Sequence, residues 1–113
     1  MGKHNASVQH SYTVEIVISG SGPHVVRTYP KKAGVVIPFG GIAAMNSAEA
    51  IEFDPSGDLA VKGVATKPAA ADDVSVTLCV LGGVKRELVT VKDNAALDAA
   101  ITVKLEERHI YCE

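Results

Sequence analysis

The chain has 113 residues, a formal net charge of −2, and a hydrophobic content of 47%. One domain of ordinary size is expected, with a core of Val, Ile, Leu and Ala, because there are three tyrosines, two phenylalanines and no tryptophan. No basic stripe exists to meet a phosphate backbone, and no apolar run approaches the ~20 residues of a membrane helix, so neither nucleic acid nor a membrane is expected as partner.

Residues 1–11, "MGKHNASVQHS", are polar and show no apolar periodicity. They are expected to form an arm that is mobile when the protein is alone. The arm lacks the apolar core of a secretory signal, so synthesis and retention in the cytoplasm are expected. "SYTVEIVIS" alternates: Tyr12, Val14, Ile16 and Ile18 share one face, and Thr13, Glu15 and Val17 the other. That period predicts a half-buried strand. "GSGP" predicts a turn, and "HVVRTYP" a second strand that Pro30 ends, so residues 12–29 could form a hairpin. Lys31 and Lys32 are the nearest approach to a basic patch and read as a solvated loop.

"AGVVIPFGGIAAM" is apolar but interrupted by Pro38, Gly40 and Gly41. It predicts two short strands, or an edge strand with a bulge, because proline cannot donate to a ladder. "SAEAIEF" leads into Ile51 and Phe53. "DPSGD" predicts a turn in which Asp54 caps, Pro55 presets φ and Gly57 takes a positive φ. "LAVKGVA" predicts a short strand, with Gly63 marking a bulge or a close backbone approach. "KPAAADD" is a loop. "VSVTLCVL" is the most regular strand, with Val74, Val76, Leu78 and Val80 opposite Ser75, Thr77, Cys79 and Leu81. Gly82 and Gly83 then predict a hairpin turn into "VKRELVTV".

After Lys92 the period changes. Leu97, Ile101 and Leu105 recur every four residues, which predicts an amphipathic helix of about three turns over 93–107. Asp93 or Asn94 would cap it, and Lys104 and Arg108 lie towards its C-terminus, where the helix dipole favours cations. "HIYC" predicts a terminal strand over 109–112. The expected fold is a β-rich α+β domain. Short strands over 33–91 would form a small, partly closed β-barrel, covered in part by the helix.

The residues offer little chemistry. His4 and His10 lie in the arm, His24 follows a turn and His109 ends the helix, so no metal is expected from them. Cys79 sits mid-strand, where a nucleophile is out of place, and with Cys112 it reads as a small buried hydrophobe. Asp72–Asp73 and Glu106–Glu107 are adjacent pairs whose side chains diverge, so neither makes an acid–base dyad. The glycines at 20–22 and 39–41 lack a phosphate-binding lysine or helix and belong to turns or bulges. These readings predict a binding or structural module with no cofactor and no enzymatic activity.

The turn carrying "D-x-x-G-x-L", then "V-K-G-V-A", an alanine-rich spacer ending in acids, and "V-x-V-x-L-x-x-x-G" before "K-R-E-L-V" resembles the head decoration (capsid cement) proteins of tailed bacteriophages. The break at Lys92–Asp93, the helix and the "I-Y-C" end agree, so the resemblance covers about residues 33–113. It implies a structural virion protein on the outer surface of a mature capsid, made in the host cytoplasm. It implies the major capsid protein as partner, and a homotrimer, a monomer or a dimer as the assembled form. The arm would be the adhesive part, with Lys3, His4, Asn5, Val8, Gln9, His10 and Tyr12 as candidate capsid-binding residues. Two departures stand out. Arg108 and His109 occupy a position where the family often has glycine, so the helix would run on or end in a less typical cap. Residues 12–29 are well patterned, where the resemblance implies only an extended arm. The alternative reading is another phage or cellular β-rich binding module, such as a tail or fibre domain.

Overall fold

A computed structural model of the protein describes residues 24–113. The expected arm over 1–11 and the strand from Tyr12 to Ser19 lie outside the described residues. In chain order the elements are β1 (Val25–Pro30), β2 (Ile42–Asn46), β3 (Glu49–Glu52), β4 (Val61–Ala65), β5 (Ser75–Val84), α1 (Ala99–Glu106) and β6 (Ile110–Cys112). Five strands form an antiparallel sheet in the order β1–β5–β4–β2–β3, and β6 pairs in parallel with the far end of β5, Gly82 opposite Ile110. Among the described residues this is the expected β-rich domain with one α-helix, and the sheet they form does not close on itself. Its two edges meet at a single bridge, Lys31 with Ala50.

The strand β5 organises the sheet. Thr, Val and Leu on a pleated, two-sided surface favour an extended chain, and both faces of β5 are buried. Cys79 and Val84 face a core shared with Ile101 and Leu105 of α1 and Ile110 of β6. Val76 and Leu78 face a second core, made mostly of alanine: Ala43, Ala50, Ala65 and Ala69. Alternation of side chains sends Leu78 and Cys79 to these opposite faces, and the β1–β5 register shifts at Val25/Val26, between their partners Leu81 and Cys79, so that Val84 shares the face of Cys79. The helix side holds the larger residues, each contributing about 1.5–3 kcal/mol when fully buried. On the other side the small alanines let two connecting segments approach the sheet, joined by the Ile37–Ala69 bridge. Val74, expected on the face of Val76, lies before the strand and is exposed.

Several expectations are corrected. Gly82 and Gly83 do not turn the chain; β5 runs through them to Val84, and the Gly82 amide donates to the His109 carbonyl at 2.9 Å. "VKRELVTV" is not a strand but a 3-10 turn at Arg86–Leu88 followed by a lone bridge from Gly41 to Thr90. The consecutive charges of Lys85, Arg86 and Glu87 break the alternation, and β1, β4 and β6 already occupy β5 as ladder partners. The helix starts later than expected. Asp98 caps it, accepting from the Ile101 amide at 2.9 Å, while Asp93 and Asn94 take left-handed φ values of 59° and 58° in a 3-10 turn. Short polar side chains tolerate that region well. The stripe itself is as expected: Ile101 and Leu105 are buried, and Leu97 packs against the same core.

The segment before β2 holds lone bridges at Ile37 and Gly41, and β2 is not an edge strand, since it lies between β4 and β3. Asp54 caps its turn through Ser56, but Gly57 is not at positive φ; its amide closes the turn on the Asp54 carbonyl at 3.0 Å. Gly63 is at a close approach: a Cβ there would sit 2.6 Å from the Cys79 carbonyl oxygen, and the β2–β4 register shifts beside it. The strands at 25–30, 61–65 and 110–112 form as expected. The turn that follows α1 ends at His109, which takes φ 63° in place of a glycine.

Candidate functional site

The residues expected to bind a capsid, Lys3, His4, Asn5, Val8, Gln9, His10 and Tyr12, lie outside the described residues. The geometry on view is therefore that of the domain which would carry them.

Lys31 departs most from its expected role. It is 3% exposed rather than solvated. Its Nζ donates to the carbonyls of Lys32 at 2.9 Å, Val35 at 2.5 Å and Ala71 at 3.5 Å. A buried ammonium is costly unless its donors are satisfied, and main-chain carbonyls satisfy these three. The cage ties the end of β1 to the 32–35 turn and to the loop before β5. Lys32, its neighbour, is exposed, and its amide donates to the Ala50 carbonyl at 3.1 Å.

Beyond this clasp a groove of 350 Å³ opens between the 32–36 segment and β3, lined by Lys32, Val35, Val36, Ile51, Glu52 and Lys92. Val36 is 53% exposed. Lys92 pairs with Asp54 at 3.5 Å across the end of the groove. Burial pushes the Glu52 carboxyl above its ordinary pKa; the Lys92 charge opposes the rise and Asp93 adds to it. The Ser56 hydroxyl and amide hold the Asp54 carboxyl below the usual carboxylate value. A second hollow, of 240 Å³, lies at the end of α1 between Ala60, Val61, Lys104, Glu107 and Arg108.

The residues suspected of chemistry stand apart. Cys79 is buried and its thiol donates to the Leu81 carbonyl at 3.3 Å; burial raises its pKa against that bond. Cys112 is half-buried, raised first by burial, lowered by Arg86 and raised by Glu106. Both therefore stay thiols at neutral pH. His24 is exposed, and His109 Nδ1 lies 3.4 Å from the Tyr111 hydroxyl. The Asp73 carboxylate accepts from the Ala70 amide at 2.7 Å and closes a turn, while Asp72 is exposed beside it. Glu106 and Glu107 are exposed at the end of α1. Among the described residues no three His, Cys, Asp or Glu side chains converge.

Sequence reasoning missed Lys31 and the groove beside it. Its signal was confined to residue type, and a lysine in a Lys–Lys pair before Ala–Gly gives no hint of burial. The deciding carbonyl of Ala71 is 40 positions away. No model of a known protein family matches the chain, and no curated protein matches it.

Proposed function

We propose that this chain is a decoration protein that seats on the outer surface of a mature phage capsid and stabilises it through contacts with the major capsid protein. The observation that carries this reading is the pattern from Asp54 to Gly83, with its continuation to the terminal strand, which resembles the head decoration proteins of tailed bacteriophages. The described domain suits the task. Its sheet is packed on both faces, and such a body transmits load without deforming. The six strands are taken as a partly closed barrel whose seam lies at Lys31 and Ala50. Each copy needs only a modest contact, because anything that binds only the mature surface stabilises it by mass action. A homotrimer is the assembled form favoured by the resemblance.

In this reading residues 1–11 attach the domain to the shell. They hold Val8 as the only large aliphatic residue after Met1. Ordering their backbone costs ~1–2 kcal/mol per residue, which so polar a segment cannot offset alone. A sheet edge on the coat can, through main-chain hydrogen bonds that are indifferent to side-chain identity. Deletion of residues 2–11 is expected to leave the thermal midpoint unchanged and to weaken co-sedimentation with capsids that lack the protein. Equal binding by the truncated protein would remove the arm from the attachment. Recovery of the full-length protein with tails instead of heads would replace this reading with the tail or fibre alternative.

A further inference from the structure

The two edges of the sheet meet once and then part. Lys31 bridges Ala50 in parallel, and the Lys32 amide donates to the Ala50 carbonyl at 3.1 Å. Past that point the Lys31 ammonium draws the 32–35 turn towards Ala71, while β3 continues along β2 until the Phe53 amide donates to Ile42 at 2.9 Å. Successive residues of a strand send their main-chain groups to opposite edges. Ala50 faces the seam, whereas Ile51, opposite Ala44, and Phe53 face β2. Glu52 therefore presents its N–H and C=O to the seam, where no described main-chain group pairs with them.

We propose that this seam is a strand-docking groove for the coat: an extended coat segment pairs with the outer edge of β3 at Glu52, seats an aliphatic side chain on Val35, Val36 and Ile51, and sets a carboxylate against Lys32. The inference rests on the decoration reading and names a second surface for it, apart from the arm. Three observations carry it. Strand groups with no partner among the described residues take an extended chain as their natural complement. Val36, at 53% exposure, stands over an aliphatic floor made by half-buried Val35 and Ile51. The charges are also asymmetric: Lys92 is held by Asp54, while Lys32 makes no ion pair among the described residues and is left for an incoming carboxylate. A second copy of this chain is the weaker candidate. A slot one strand wide falls far short of the ~1,200 Å² or more that a stable dimer buries, whereas a small contact repeated over a shell suffices.

The test uses the full-length protein, capsids of the encoding phage that lack it, and three variants: Val36→Asp, Lys32→Glu and Leu59→Asp. Leu59 is 38% exposed and lies outside the groove, so it serves as the control. All three sites are exposed, and each variant is expected to keep the wild-type circular dichroism, thermal midpoint and oligomeric state. Val36→Asp and Lys32→Glu should each weaken co-sedimentation by about tenfold or more, and Leu59→Asp should bind as the wild type. Undiminished binding by Val36→Asp overturns the groove and leaves the decoration reading standing. So does an equal loss in Leu59→Asp. A changed oligomeric state in Val36→Asp assigns the groove to a second copy and overturns the coat as occupant. Wild-type protein that does not sediment with capsids overturns the decoration reading before any variant is compared, and the inference falls with it.

Discussion

Glu52 carries a cost that its neighbours do not remove. Its carboxyl is half-buried at the groove, burial raises its pKa, and Lys92 offsets only part of that rise because Asp93 acts in the same direction as burial. The folded state thus holds the proton more tightly than the unfolded chain. Stability is highest below the unfolded value near 4.5 and falls as pH climbs through the raised folded value. Glu52→Gln removes the charge at every pH. It is expected to raise the thermal midpoint at pH 7, with the gain vanishing below pH 4.5. A lower midpoint at pH 7 would show that the attraction to Lys92 outweighs burial. Lys31 is buried more deeply, at 3% exposure, and its Nζ donates to three main-chain carbonyls. Neither environment is written in residue type. Glu52 was recognisable only as part of a strand-like run, and Lys31 only as half of a basic pair, because both are set by segments that are distant in sequence.

At the scale of elements the sequence was most informative where one face decided the outcome. The Leu97–Ile101–Leu105 stripe placed the helix, and alternation placed β5. Boundaries were lost where a local signal competed with pairing. Two glycines between apolar runs favour a hairpin, yet β5 takes β6 as a parallel neighbour there and continues. Asp93 and Asn94 resemble a cap, but the chain spends them in a left-handed turn and caps with Asp98. The other end of α1 yields a prediction. His109 takes φ 63°, in the region where a β-carbon is strained by ~1–2 kcal/mol. His109→Gly relieves that strain and adds some freedom to the unfolded chain, so a net gain of up to about 1 kcal/mol in unfolding free energy is expected from urea titration. A loss would mean that the 3.4 Å contact with the Tyr111 hydroxyl matters more than the strain.

For the whole molecule, the fold class was legible and the closure of the sheet was not. A sheet with a core on each face asks only for apolar residues in both alternating sets, and β5 supplies them in Val76, Leu78, Cys79 and Val84. Closure depends on how far β1 and β3 converge, and they converge at one bridge that no periodicity announces. The strand order also has a kinetic consequence. The edge strand β1 finds its partner in β5, Val25 opposite Leu81, with β2, β3 and β4 lying between them in the chain. Only after that long loop has closed can the second core be sealed, and the hairpin of β2 and β3 gives little help because it sits at the far edge. Loop closure must precede the contacts that reward it, so refolding is expected on a timescale of about milliseconds to seconds, with apolar strands exposed in the interval. Stopped-flow dilution from urea measures this directly. A microsecond phase carrying the full amplitude would mean that assembly is governed by local contacts, and that the pairing of β1 with β5 is not what limits it.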